Sequence, residues 1–446
     1  MSQKASSTIA SGWLDLATFA GLDNALYDGP EVRSIHTKEI QPSAFFTRLS
    51  VPLSKSGQVD GAIYTFAKTA DFAGNVHWEF TTPDITVKSG SQATYRIAFT
   101  RNLGHYVAVG GYSLQVNDIP LVNVDAIAMD FFSEANYIAG KYEGYMAMIG
   151  NISTAVEFSS HLPPQTIKKP LHELWFCQNS NPVPEEALPL CQLKSNTMTI
   201  KAEFVSSLED VIRVQQLVSS VWTNVNARSI NLTDIVDVVG GSLAMPMPEL
   251  WCEYVMVMED ERKFLKAKPR DICISQIQAV TGAKVSPGTV RQDFRLSKPI
   301  RYHMFGARNA SGTAIRSFGN YSTNPSDPAA GLNPCRKVTL WYDNAPRSQL
   351  IDAARYADLE FLYHADRVPT TKGIHLLPYC YKTSSREIDG SVNYSKLNTA
   401  LEIDIAETST NTDDTVTTGS DYVLEIRSQS LQVIHVEGGA MSFPSY

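Results

Sequence analysis

The strongest constraint on this chain is an alternation of apolar and polar side chains with a period of two. Val76, Trp78 and Phe80 alternate with His77, Glu79 and Thr81; Met198, Ile200, Ala202 and Phe204 alternate with Thr197, Thr199, Lys201 and Glu203; Leu401, Ile403 and Ile405 alternate with Glu402 and Asp404. Leu424 and Ile426, then Leu431 and Val433, repeat the pattern near the C-terminus. Successive side chains on a strand point to opposite faces, so each run lays one face on a core and turns the other to water. Antiparallel sandwich strands are the expectation. The run from Trp251 to Met258 is apolar on both faces after Glu253, as a strand inside a large sandwich or between domains would be. Turn clusters at Ser54–Gly57, Lys88–Ser91, Asn309–Gly312 and Asp389–Ser391 separate the runs.

Helical patterns are few. Trp13, Leu16, Phe19, Leu22 and Leu26 recur at helical spacing after Ser11, predicting a short amphipathic arm over Gly12 to Leu26. Its flanking charges, Asp15, Asp23 and Asp28, favour docking on protein over an anionic membrane. Ser207 caps a second expected helix opening with Leu208, Glu209 and Asp210, which would separate two β-rich halves. A third runs from about Glu259 to Lys268, acidic first, basic last and stopped by Pro269. A fourth covers about Arg347 to Leu359. Two polar stretches, Ser311 to Pro334 and Glu407 to Asp421, are expected to project as long loops, since burial would orphan their backbone groups. The resulting division is an arm over 1–40 and two sandwiches, over 41–218 and 219–446.

Composition narrows the function. At about 150 residues per domain, 446 residues make roughly three domains, or two large ones if they are all-β. With 43% hydrophobic and 19% charged residues the chain is a packed globular protein with a quiet surface. The formal net charge of -8 and the lack of a Lys/Arg run argue against a main task of holding nucleic acid. The first residues lack the features of a signal peptide, and no 18 consecutive residues are apolar, so no membrane span is expected. Six dispersed cysteines, Cys177, Cys191, Cys252, Cys273, Cys335 and Cys380, suit free thiols better than a disulfide scaffold.

No catalytic or cofactor motif emerges. The sequence has no GxGxxG, no phosphate-binding P-loop, no HExxH, no GxSxG and no CxxC. The pairs Gly110-Gly111 and Gly240-Gly241 read as bends. His364, His375 and Cys380 match no common zinc spacing, and a strand bearing Trp175 and Phe176 is expected to bury Cys177 near His172 as a small hydrophobe. Five sequons, at Asn151, Asn231, Asn309, Asn320 and Asn393, read as turn asparagines. The cluster Arg262, Lys263, Lys266, Lys268 and Arg270 reads as a solvated helix face, with intersubunit ion pairing as the alternative. No catalytic, cofactor or metal residue is assigned.

Several segments, in order across nearly the whole chain, resemble the major capsid proteins of iridoviruses and related nucleocytoplasmic large DNA viruses. Ser11 to Gly29, SGWLDLATFAGLDNALYDG, is similar to the family's GFxDLATxxxLDxALYGG. Lys38-Glu39 with Phe45 to Leu49, Gly144 to Asn151, and Pro170-Leu171 with Trp175-Phe176 resemble further segments in register. So do Ala187 to Leu190, Ser207 to Ile212, Gly390 to Leu397 and Ile434 to Pro444. Ile388-Asp389 departs from the family's Pro-Ser before the glycine. The resemblance implies an all-β fold of two tandem eight-stranded jelly rolls with a few short helices and long loops. It also implies a homotrimer that tiles an icosahedral shell, with minor capsid proteins as partners. Direct nucleic acid contact is not expected, and the inner viral membrane would be met only indirectly. A virion protein assembled in the host cytoplasm, with no enzymatic activity, is the expectation. A soluble jelly-roll protein that binds or hydrolyses carbohydrate is the alternative. The loop Ser311 to Pro334 is expected on the outer tower and the arm on the inner side.

Overall fold

A computed structural model describes residues 45–177, 187–225, 229–240, 242–325, 327–348, 351–385, 389–405 and 421–443. The expected arm with its helix, and nearly all of Glu407 to Asp421, lie outside them.

Two sandwiches succeed one another along the chain with the same strand order. In the first, the strands in chain order are Phe46–Pro52, Ala62–Thr65, Phe72–Thr81, Gly111–Val116, Ile119–Val124, Thr166–Pro170, Met198–Glu203 and Glu249–Val257. Strands one, eight, three and six form one sheet in that order; two, seven, four and five form the other, with Ser54–Ser56 added at its edge. In the second sandwich the strands are Arg270–Val285, Gly288–Phe294, Pro299–Asn309, Cys335–Tyr342, Ala345–Pro346, His375–Pro378, Thr399–Ile405 and Tyr422–Glu437. Its sheets again run one, eight, three, six and two, seven, four, five. This order, antiparallel throughout, is the jelly roll. The alternating runs become strands with the expected faces inside: Val76, Trp78 and Phe80 are buried, as are Leu401, Ile403 and Ile405.

The pairing moves the expected boundary between sandwiches. Glu249–Val257 lies between Phe46–Pro52 and Phe72–Thr81, with Trp251 opposite His77 and Pro52, so the first jelly roll reaches Val257 rather than ending at 218. Leu250, Cys252 and Tyr254 on one face of this strand are buried, and Trp251, Val255 and Val257 on the other are half-buried. Ser207 caps only a single 3-10 turn, Leu208–Val211, accepting from the Glu209 N–H at 3.2 Å. The β-branched Ile212 and Val214 then continue as the strand Ile212–Val218 against Tyr95–Phe99, so this segment is no divider. The helix Glu259–Ala267 forms as expected and links the two sandwiches. In place of a helix from Arg347, Ile351–Asp352 pairs with Cys335–Tyr342, and the helical segments are Arg355–Leu359 and Glu360–His364.

Long connections leave one end of each jelly roll, after strands three, five and seven. In the first they build a second storey: Val221–Val225, Ile212–Val218 and Tyr95–Phe99 form one small sheet, and Val236–Val238, Ile85–Val87 and His161–Leu162 another. The connection after Val124 carries the helices Ala126–Asn136 and Ala139–Met148. Ser311 to Pro334 does not simply project. Its Ser317, Asn320, Tyr321, Ser322 and Thr323 are buried, because asparagine side chains satisfy the backbone that burial would orphan. Asn309 Oδ1 accepts from the N–H groups of Ser311 and Gly312, and its Nδ2 donates to Ser322 O. Asn320 Nδ2 donates to Asn324 O and Pro325 O, while its Oδ1 accepts from Ser322 N.

Candidate functional site

The most elaborate polar chemistry in the structure lies where the jelly rolls meet. Asp125, at the end of a strand of the first, caps the helix Ala126–Asn136 by accepting from Ala128 N at 3.0 Å. The same carboxylate receives Arg427 of the second jelly roll, Nε at 3.0 Å and Nη2 at 2.5 Å. Arg427 also meets the wholly buried Glu425 at 3.1 Å, which accepts from Arg308 at 2.8 Å and from Thr281 Oγ1 at 2.7 Å. A second clasp centres on Glu134 of that helix. Its carboxylate accepts from Arg367, from Thr371 Oγ1 at 2.8 Å and from Tyr142 OH at 2.7 Å, and the Arg367 guanidinium lies 3.2 Å over the Tyr142 ring. Apolar contact completes the joint: Tyr302, Met304, Tyr321, Phe361, Ile374 and Leu376 belong to the core of the first jelly roll. Buried charges matched this closely fix geometry, since breaking one pair leaves an uncompensated ion.

Buried titratable groups elsewhere are also held by neighbours. Burial alone would raise the Glu173 carboxyl, but the neighbouring His172 and Lys169 and a hydrogen bond from Tyr112 outweigh it and hold it at about 2. Lys169 Nζ reaches both of its oxygens, at 3.0 and 3.1 Å. Burial pushes His172 and His303 down to about 3 and His375 to about 4. His303 bridges Ser428 Oγ at 2.7 Å and Tyr394 OH at 2.6 Å inside the second core, with no carboxylate behind it and no solvent at the serine. This is no activated nucleophile.

The residues singled out in the sequence do not converge. His375 stacks on Phe305, with Asn333 Nδ2 3.0 Å from its Nε2, while His364 sits near the surface beside Glu360. Among the described residues no group of three His, Cys, Asp or Glu side chains could hold a metal. Trp175–Cys177 is a 3-10 turn rather than a strand, with Trp175 and Phe176 buried. Cys191, Cys252, Cys335 and Cys380 are free thiols; burial raises those of Cys252 and Cys335, which suppresses thiolate chemistry. Gly111 takes φ +74, and a Cβ there would sit 1.9 Å from Val124 O, so that glycine pair is a tight bend. In the basic cluster, Arg262 is committed to the buried Asp71, with Nη2 at 2.8 Å, and Lys263 to Glu259. Among the described residues, the open grooves around Tyr112, Phe294 and Tyr356 each hold one aromatic ring.

Two jelly rolls of one topology, locked side by side by paired buried charges, define a double jelly-roll shell protein. Sequence comparison agrees. Residues 34–257 match the family model "Major capsid protein N-terminus" and residues 261–442 match "Large eukaryotic DNA virus major capsid protein", meeting where the structure divides the jelly rolls. The chain belongs to this family of large eukaryotic DNA virus major capsid proteins. It is 26% identical to the major capsid protein of Costelytra zealandica iridescent virus, covering 98% of this chain and 99% of that one. It is 25% identical to that of Frog virus 3 over the full length of both. In fold it is similar to VP54 of PBCV-1, with a TM-score of 0.70 at 14% identity, covering 93% of this chain and 100% of that one. The Faustovirus major capsid protein aligns with a TM-score of 0.68 at 11% identity, covering 93% and 94%.

Proposed function

We propose that this capsid protein forms a homotrimer whose six sandwiches make a pseudo-hexagonal tile of an icosahedral shell. The observation that carries this reading is the rigid joint between two jelly rolls of identical strand order. A chain that presents two similar bodies at fixed spacing turns threefold symmetry into a near-sixfold outline, the shape that packs a surface without gaps. In this reading minor capsid proteins hold the tiles, assembly occurs in the host cytoplasm, and the inner membrane is met only indirectly. The net charge of -8, with Arg262 and Lys263 already paired within the chain, supports a shell that does not grip the genome directly. Sedimentation of the purified full chain tests the reading: a species of three chains is expected at micromolar concentration, and a monomer there would overturn it.

A further inference from the structure

Two apolar faces are exposed at the end of the molecule where the long connections emerge. On the second jelly roll the helical segments Arg355–Leu359 and Glu360–His364 bury Tyr356 and Phe361 on one side. The opposite side shows Leu359, Leu362 and Tyr363, the last two 63% and 69% exposed. Tyr381, 79% exposed, extends this face, because its carbonyl lies 2.9 Å from His364 Nδ1 and Thr383 N donates to His364 O. A helix apolar on both sides is ordinarily covered on both, and a contiguous exposed patch of this kind marks a contact surface.

On the first jelly roll the hairpin Ile212–Val218 with Val221–Val225 exposes Val218 and Val221. Arg96 lies 4.2 Å over the Trp222 ring beside them, and Val221–Val225 is the outer strand of its sheet. Apolar side chains around an arginine-capped tryptophan have the make-up of an interface centre. Among the described residues neither Arg96 nor Asp358, which borders the helical face, has a partner in an ion pair.

We propose that these two faces are the halves of one contact between neighbouring copies of this chain, the helical face of one copy seated on the Val218–Val221 hairpin of the next. The inference rests on the homotrimer reading and adds the surface that closes it. A closed threefold ring needs a heterologous contact, in which each copy offers two different faces and each face meets its complement on a neighbour. The two faces meet the requirements of that ring. They lie on different jelly rolls, as a ring alternating first and second requires. Both belong to long connections, and those of the two jelly rolls meet at the Glu134–Arg367 clasp. Asp358 on one face and Arg96 on the other have opposite charge, and the remaining contact is apolar.

Cysteines at Val221 and Leu362 in one chain test the contact. Under mild oxidation the double variant should give covalent dimers and trimers on non-reducing gels, and neither single variant should. Leu362→Asp and Val221→Asp lie at exposed positions, so each should keep the melting temperature of its chain while raising the concentration at half-dissociation of the trimer at least about tenfold. Arg96→Asp should weaken the trimer, and Asp358→Arg in the same chain should restore it. A trimeric wild type with no cross-link, and Leu362→Asp as tightly trimeric as the parent, would overturn this contact while leaving the trimer intact. A monomeric wild type would overturn both.

Discussion

Arg427→Met tests whether the two jelly rolls are one cooperative body. The side chain is 2% exposed and spans the joint, reaching Asp125 of the first jelly roll and Glu425 of the second. Methionine keeps much of the volume and removes the charge. Asp125 is a third exposed and can rehydrate, so most of the penalty falls on Glu425, which is buried and keeps only Arg308 and Thr281. Removing one member of a buried pair costs about 3–5 kcal/mol. Residues 46–446 form one compact unit, roughly 400 residues, whose unfolding entropy at about 2.1 cal/mol/K per residue is near 0.8 kcal/mol/K. The melting temperature should therefore fall by about 4–6 °C, in one calorimetric transition. Adding Glu425→Gln should recover part of the loss, since Arg308 then no longer has to balance a fully buried carboxylate alone. A shift below about 1 °C, or two separate transitions of which only one moves, would refute the reading of Arg427 as the bolt of a single body.

Acid should loosen the protein in two stages. His172, His303 and His375 have folded values of about 3, 3 and 4, below the usual 6.5, so their neutral forms stabilise the fold above pH 6.5 and that stability drains as pH falls. At pH 5 the loss is about 2 kcal/mol for each, which a melting series from pH 7 to 5 should show and which His303→Gln should reduce. Glu173 and Asp71, both held low, add their losses only below about pH 4.5, where their unfolded forms take up protons; a melting curve flat from pH 7 to 4.5 would contradict the histidine stage. Asn320→Leu strands the carbonyl of Pro325 and the N–H of Ser322, at about 1–3 kcal/mol for each group left without water, and should lower the soluble yield; mass spectrometry of chain made in a glycosylating host should find Asn309 and Asn320 unmodified. Val211→Asp places a charge at a fully buried position between Leu208 and Ile212, so soluble trimer should be lost; unchanged yield and sedimentation would contradict the packing of the 3-10 turn.

Period two made the sandwich strands legible because each needs one wet face and one dry face, and Phe72–Thr81, Met198–Glu203 and Thr399–Ile405 all have both. Ala126–Asn136 was illegible for the converse reason. Nearly every residue in it is buried, Asp130 and Glu134 included, so no polar stripe remains to set a helical period, and the one local signal was Asp125 as a cap. Ser207 shows the limit of capping signals: a capped turn and a capped helix begin alike, and the residues downstream decide between them, here a β-branched run that finds Tyr95–Phe99 to pair with. The polar stretch after Ser311 failed as a projecting loop because composition does not say whether an asparagine will serve its own backbone. The joint was beyond local reading altogether. Arg427 and Asp125 stand 302 residues apart, and neither neighbourhood names the other.

The joint also bears on how such a chain stays soluble before it assembles. The first strand of the second jelly roll, Arg270–Val285, is the edge of its sheet and is long enough to recruit another strand. Its mid-section lies against Ile119–Val124 of the first jelly roll, where Gln276 Nε2 donates to Leu121 O at 2.5 Å. One sandwich thus occupies part of the other's open edge, and Arg427, by holding them together, keeps that edge guarded. Loosening the joint should then expose strand as well as lower stability. Arg427→Met chain held at a temperature where it is still folded should aggregate faster than Val221→Asp chain, whose exposed substitution leaves the joint alone; equal rates would separate edge protection from the ion pair.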